Sequence, residues 1–316
     1  MVSKLYELIK NGYEIDKKEA IELLNLKTCE LAKYANELRN YFLGNQFDTC
    51  SIINGKSGRC SEDCKFCSQS SFHETDIEIY PLLETQKFIQ DAKYHFEKGV
   101  KRYSIVTSGK KLNKSELDKI CNSYKEIGKN VYIKICASHG LLSENELKKL
   151  KKSGVKRYHN NLETSRNFFN KICTTHTYDE KIETIKAAQR AGLEVCSGGI
   201  LGLGETFIDR IDMAFELRDL NIKSIPINVL NYIEGTSIKI KDQITEDEVL
   251  KTIAIFRFIN PKSFIRLAGG RNVLTNYGEH AFKSGANATI TGDLLTTCGN
   301  SIENDLNLVK SMGFEV

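Results

Sequence analysis

Residues 131–161 read VYIKICASHGLLSENELKKLKKSGVKRYHNN, and the architecture follows from them. Val131–Ala137 is short and β-branched, as a strand is. Ser143 stands where an N-cap belongs, Glu146 follows three residues later, and the helical run closes on Gly154. Val155–Asn161 then returns to strand character. Strand, helix and strand in this order form a βαβ unit, the connection that a parallel pair requires.

The unit repeats in both directions. Strand-like runs recur at Phe47–Ile53, Lys101–Thr107, Leu193–Ile200, Lys223–Val229, Ser263–Ala268 and Ala286–Ile290. Helical patterns lie between them at Ser115–Gly128, Tyr178–Gly192, Thr206–Leu220 and Thr245–Ile259. Ser115 reads as an N-cap and Gly128 as a terminator; Gly99, Gly154 and Gly192 each lead directly into a strand. Eight strands alternating with helices predict an α/β fold, a (β/α)8 TIM-type barrel over 47–316, with an open doubly wound sheet as the alternative. Residues 1–46 are mainly helical in pattern and read as an N-terminal extension that covers the barrel.

The whole chain has 316 residues and a formal charge of +4, with 27% charged and 41% hydrophobic residues. That balance excludes a disordered chain and a strongly basic nucleic-acid coat, and no basic-aromatic alternation points to RNA or DNA. The first twenty residues are charged throughout, and no run approaches the roughly 18 apolar residues of a membrane span. A cytoplasmic protein without membrane attachment is expected, so the ten cysteines point to metal or redox chemistry rather than a disulfide scaffold.

Three of them form Cys60-Ser-Glu-Asp-Cys64-Lys-Phe-Cys67, directly after the first strand. Barrel enzymes place their chemistry in the loops at strand C-termini. Three thiolates in so short a loop can hold three irons of a cubane and leave the fourth open. Zinc is the alternative, but a structural zinc wants four ligands in other spacings, and the nearest further candidate is His73. Cys29 and Cys121 lie in helical patterns and read as packed thiols, and Cys173 reads as structural. Cys298 follows the last strand. His139 and His176 lie near strand ends or loops, where a substrate contact and a structural hydrogen bond are both open.

The C-x3-C-x2-C loop with Phe66 before its last cysteine resembles the signature of the radical S-adenosylmethionine (SAM) superfamily. The run Gly198-Gly-Ile200-Leu-Gly202-Leu-Gly-Glu205 is similar to the glycine segment that lies beside the adenine there. SGRCSEDCKFCSQS (57–70), YHNNLETS (158–165), SIPINVL (224–230) and IRLAGGR (265–271) narrow the resemblance to the biotin synthase family, over nearly the whole chain.

The resemblance implies radical sulfur insertion that converts dethiobiotin to biotin. Cys60, Cys64 and Cys67 would bind a [4Fe-4S] cluster. Phe66, Glu163, Lys181, Gly198, Ile200, Gly202 and Glu205 would surround SAM. Asn161, Asn228 and His159 would meet the substrate. Cys136, Cys196 and Arg266 would bind an auxiliary iron–sulfur cluster, [2Fe-2S] in most of the family, which donates the sulfur. Arg266 as a ligand rests on the resemblance alone, because guanidinium is normally protonated.

The sequence departs from the family in one position of consequence. Ser104 stands where the first auxiliary cysteine is usual, while Cys50 appears on the first strand. Cys50, Cys136, Cys196 and Arg266 fall on odd-numbered strands, and alternate strands of a barrel supply one interior layer. Cys50 is therefore read as the replacement ligand, with Ser104 as the alternative and a four-iron form of the auxiliary cluster in prospect. A reducing donor of the flavodoxin or ferredoxin type, sulfide or a cluster-repair system, and a homodimer complete what the family implies. The rival readings are another barrel-type radical SAM enzyme, similar to methylornithine synthase, and a non-catalytic iron–sulfur protein.

Overall fold

Nine parallel strand segments close into one barrel in the computed structural model, which describes residues 1–239 and 243–316. They are β1 (Asp48–Lys56), β2 (Arg102–Thr107), β3 (Lys134–Ser138), β4 (Arg157–His159), β5 (Glu194–Cys196), β6 (Gly199–Leu201), β7 (Ser224–Val229), β8 (Phe264–Leu267) and β9 (Ala288–Ile290). Around the sheet the order is β5-β4-β3-β2-β1-β9-β8-β7-β6, and Cys196 of β5 pairs with Ser224 of β7 to close the ring. β5 and β6 are two halves of one stave interrupted at Ser197-Gly198, so the barrel has the eight staves expected from the sequence.

The interruption has a local cause. The chain after β4 crosses the gap: Glu163 N–H donates to the Gly198 carbonyl at 3.1 Å, and Ile200 N–H to the Glu163 carbonyl at 2.8 Å. A Cβ on Gly198 would collide with the Pro226 carbonyl oxygen, so only glycine lets the two backbones approach this closely.

Helices follow the strands on the outside. Ser143 forms a capping box with Glu146 on the helix Glu144–Lys152, and Thr206 and Thr245 cap Phe207–Asp219 and Glu246–Ile259 in the same way. The helix Lys114–Asn130 corrects the sequence reading. Its cap is Asn113, boxed with Glu116, and Ser115 and Gly128 both lie inside it. A further helix, Thr85–Glu97, joins β1 to β2; it has no side-chain cap at Glu84, so no start signal marks it in the sequence. Gly99, Gly154 and Gly192 have φ of +86°, +103° and +77°, the left-handed turn that returns each helix to its strand.

Three helices, Val2–Lys10, Lys17–Glu22 and Thr28–Leu43, precede the barrel. They lean on the outer helices: Arg218 donates to the Ile15 carbonyl at 2.8 Å, and Thr28 Oγ1 to Asp247 at 2.9 Å. Leu31, Ala35 and Leu38 are fully buried there. Cys29 is exposed rather than packed, because it occupies the outward face of its helix; Cys121 is buried as expected. No helix among the described residues is long and apolar enough to cross a membrane.

Candidate active site

Side chains two residues apart on a strand share a face, and the inward set of the barrel reads as layers. The lowest layer is a buried ion network that the sequence reading missed. Asp48 on β1 accepts from Arg102 Nε at 3.0 Å, Arg157 at 3.1 Å and Arg266 at 2.6 Å. Burial raises the Asp48 carboxyl, but the three guanidinium charges outweigh it and hold it far below the usual carboxylate range. Arg157 also meets Glu194 at 3.0 Å. The available signal was period two: Asp48, Arg102 and Arg157 each stand two residues before Cys50, Ser104 and His159.

Above the network, Cys50, Ser104, Cys136, His159 and Cys196 face a single cavity of about 390 Å3, which Arg266 of the network also lines. Ser104 and Cys136 are opposite each other in the β2–β3 register. The neighbouring Cys50 thiol and the positive charge of Arg157 and Arg102 favour the thiolate on Cys136; the Cys50 thiol is pushed up. Burial raises the Cys196 thiol, yet the hydrogen bond to His159 and the charges of His159, Arg266 and Arg157 bring it down to about 6. Arg266 donates to the Asp48 and Thr289 carbonyls at 3.0 and 2.7 Å, so its guanidinium is rigidly aimed. Thiols under positive charge are what a thiolate-bound iron–sulfur group requires, and this set suits one.

The upper layer holds the amide side chains. Asn161 Oδ1 accepts from Gly198 N–H at 3.1 Å, and its Nδ2 donates to Glu163 at 3.2 Å. Asn228 is fixed the same way, accepting from Gly269 N–H at 2.9 Å and donating to the Gly199 carbonyl at 3.0 Å. Both line the cavity with Glu163 and Ile200, and Phe66 and Cys67 of the cysteine loop face it from above. Cys60, Cys64 and Cys67 sit on that one loop, where the Cys67 N–H donates to the Cys64 carbonyl at 2.9 Å. Three thiols on one loop would suit the protein corners of a four-iron cluster, and Cys67 among them lines the cavity.

The remaining expected residues stand behind this wall. Lys181 is buried outside the cavity, 3.9 Å from the Glu163 carboxylate. Gly198 and Gly202 shape backbone, and Glu205 accepts from Gly202 N–H at 3.0 Å while pairing with Arg210 at 2.7 Å. His139 and His176 do not line the cavity. His139 is fully buried between Thr107 Oγ1 (2.9 Å) and the Tyr124 hydroxyl (2.8 Å), and burial lowers it to about 3. His176 pairs with Glu62 at 2.6 Å. Cys298 is exposed.

Comparison with known proteins bears on this geometry. Residues 56–217 match the model of the Radical SAM superfamily, and residues 226–315 that of the Biotin and Thiamin Synthesis associated domain. The chain is 53% identical over 315 residues to a biotin synthase of Clostridium perfringens (strain 13 / Type A), covering 100% of this chain and 99% of the relative. It is 55% identical over 316 residues to one of Clostridium botulinum (strain Alaska E43 / Type E3), with 100% and 99% covered. Among solved structures, methylornithine synthase superposes with a TM-score of 0.84 at 18% identity, covering 98% of this chain and 96% of that one. At that identity the likeness speaks for the fold alone.

Proposed function

The chain belongs to the biotin synthase family of radical SAM enzymes, and from that membership we propose how its residues divide the work of turning dethiobiotin into biotin. The reaction adds one sulfur to two unactivated carbons, where acid–base chemistry has nothing to act on. The bound SAM and iron–sulfur groups supply the carbon radical and the sulfur.

The protein supplies placement. Cys60, Cys64 and Cys67 hold a [4Fe-4S] cluster at the cavity mouth. Phe66, Glu163 and Ile200 contact SAM there, while Lys181 sets the Glu163 carboxylate, and Gly198, Gly202 and Glu205 shape the backbone behind it. Asn161 and Asn228, each locked by two hydrogen bonds, present fixed amide edges to the ureido ring. His159 meets the substrate from its place beside Cys196. The auxiliary cluster lies deeper, on Cys136, Cys196, Arg266 and Cys50, with Ser104 as the alternative to Cys50. Four protein ligands suit a four-iron form as well as the family's [2Fe-2S]. Holding the reacting groups in line inside a walled cavity is the protein's main lever on rate.

One observation carries this reading: Cys50, Cys136, Cys196 and Arg266 line one cavity with Phe66 and Cys67 of the cysteine loop. Cys50 lines the same cavity as Cys136, Cys196 and Arg266, which supports Cys50 as the fourth ligand. We further assign a cytoplasmic location, a flavodoxin- or ferredoxin-type reductant, a sulfide-fed repair of the auxiliary cluster, a homodimer, and residues 1–46 as an extension outside the barrel.

The test is anaerobic reconstitution with iron, sulfide and reductant, followed by SAM and dethiobiotin. Biotin with about two 5′-deoxyadenosine per biotin is expected; SAM cleavage without biotin would point to another radical SAM activity. Cys50→Ala should lose auxiliary-cluster iron while keeping the [4Fe-4S] signal, as iron counting with Mössbauer spectroscopy would read. Undiminished iron would return the ligand role to Ser104.

A further inference from the structure

Residues 292–300 leave β9 and reach the helix Ile302–Ser311 as a loop with a pinched neck. Gly292 N–H donates to the Asn300 carbonyl at 3.0 Å, and a Cβ on Gly299 would collide with the Gly292 carbonyl oxygen, so the two ends lie backbone against backbone. Joined ends of this kind make an Ω-loop. The neck is anchored from below: Asn300 donates to Asp305 at 2.6 Å, and the buried Asp305 accepts from Arg271 at 2.8 and 2.7 Å. Beyond the neck the tip turns on a bond from Leu294 N–H to the Thr297 carbonyl at 3.0 Å, and Leu294, Leu295, Thr296 and Thr297 line the cavity. Among the described residues, only two hydrogen bonds tie 293–299 to the rest of the chain. Asn54 Nδ2 donates to the Leu295 carbonyl at 3.1 Å, and Ser68 Oγ donates to Thr296 Oγ1 at 3.1 Å.

We propose that residues 292–300 are a flap that closes the cavity, and that Asn54 and Ser68 are positioning residues that latch it shut. The proposal rests on the reading of this cavity as the dethiobiotin site. The neck is fixed by backbone contact and a buried ion pair, whereas the tip hangs on two neutral hydrogen bonds. Opening therefore breaks the tip bonds and leaves the neck intact. The Asn54 amide makes the latch reversible. Its nitrogen donates to the flap, while its buried Oδ1 has no partner among the described residues. A buried acceptor without a partner disfavours the closed state, and opening exposes it to water. Closure is thus held by a small net free energy, which a molecule packed against Leu294 and Leu295 shifts toward the shut form. Ser68 directly follows Cys67, so the flap closes onto the cysteine loop itself as well as onto β1. A shut flap keeps water from a carbon radical, and an open one admits substrate and releases product.

The experiment compares the full-length chain with Asn54→Ala and Ser68→Ala, each reconstituted anaerobically with iron and sulfide and held with SAM but no reductant, so that nothing turns over. Hydrogen exchange read by mass spectrometry follows residues 292–300, and labelled dethiobiotin chased with unlabelled reads dissociation. Dethiobiotin should slow exchange of 292–300 in the parent. Each variant should exchange faster there and release dethiobiotin about threefold to tenfold faster, the worth of one hydrogen bond, with iron content unchanged. Exchange at 292–300 equal to the parent in both variants overturns the proposal, and so does faster release without faster exchange. If Asn54→Ala does not fold, Ser68→Ala alone decides by the same two readings. Loss of iron from Ser68→Ala would place its serine in the service of the cysteine loop and overturn the latch. A flap that loosens in the variants but ignores dethiobiotin in the parent keeps the latch and sinks the substrate assignment instead.

Discussion

Cys50 and Ser104 look interchangeable as letters, small and weakly polar, and both face the same cavity. Their strands separate them: Cys50 stands on β1, while Ser104 of β2 pairs with Cys136 of β3. His139 carries a different lesson. Its position near a strand end left a substrate contact open, but two hydroxyls satisfy its ring and burial keeps it neutral. Its pKa in the folded chain is lowered from about 6.5 to about 3, so below about 6.5 the unfolded chain binds a proton that the folded chain refuses. The stability tied to His139 is therefore whole above that pH and drains away as pH falls from about 6.5 toward 3. Urea unfolding at pH 6.5 and pH 5 should show a loss in the parent that is roughly 1.5–2 kcal/mol smaller in His139→Gln. Equal losses in the two chains would show that another group governs the acid limb.

At the scale of elements, the strand positions were legible because β-branched runs between glycine-terminated helices have few other readings. Helix starts were legible where Ser or Thr preceded a Glu or Asp by three residues, as at Ser143, Thr206 and Thr245. At Lys114–Asn130 the sequence pattern pointed to Ser115, but the capping box forms between Asn113 and Glu116 and leaves Ser115 inside the helix. Asn113→Ala should cost about 1 kcal/mol in urea unfolding, and Ser115→Ala a few tenths. A larger loss from Ser115→Ala would reverse the assignment. The fifth stave shows where pattern reading stops. A run of residues 193–200 reads as one strand, but the crossing backbone of 160–163 takes the Cys196 and Gly198 carbonyls and the Ile200 N–H and divides it.

For the whole molecule, closure is what turns scattered residues into a site. β1 to β6 lie within residues 48–201 and β7 to β9 within 224–290, so the Radical SAM match at 56–217 alone cannot complete the ring. The Asp48 network ties the two parts together, since Arg266 of β8 reaches the aspartate of β1 at 2.6 Å. The helices of residues 1–46 contribute no cavity residue, yet they bury Leu31, Ala35 and Leu38 on the outer helices. Deleting residues 1–46 should lower the thermal midpoint and expose an apolar face that promotes aggregation, read by calorimetry and light scattering. An unaltered midpoint would show that the barrel stands without them. By itself the sequence determined the eight strands and the helices between most of them, the cysteine loop and the family resemblance, because periodicity, capping and short motifs are local and survive in one dimension. Only the tertiary structure decided that Cys50 and Cys136 meet at one cavity wall, that three arginines converge on Asp48, and that Cys173 lies against Cys64. Each of those contacts joins residues dozens to hundreds of positions apart, and a closed barrel brings them together through strand tilt and register, which leave no mark on the spacing of letters.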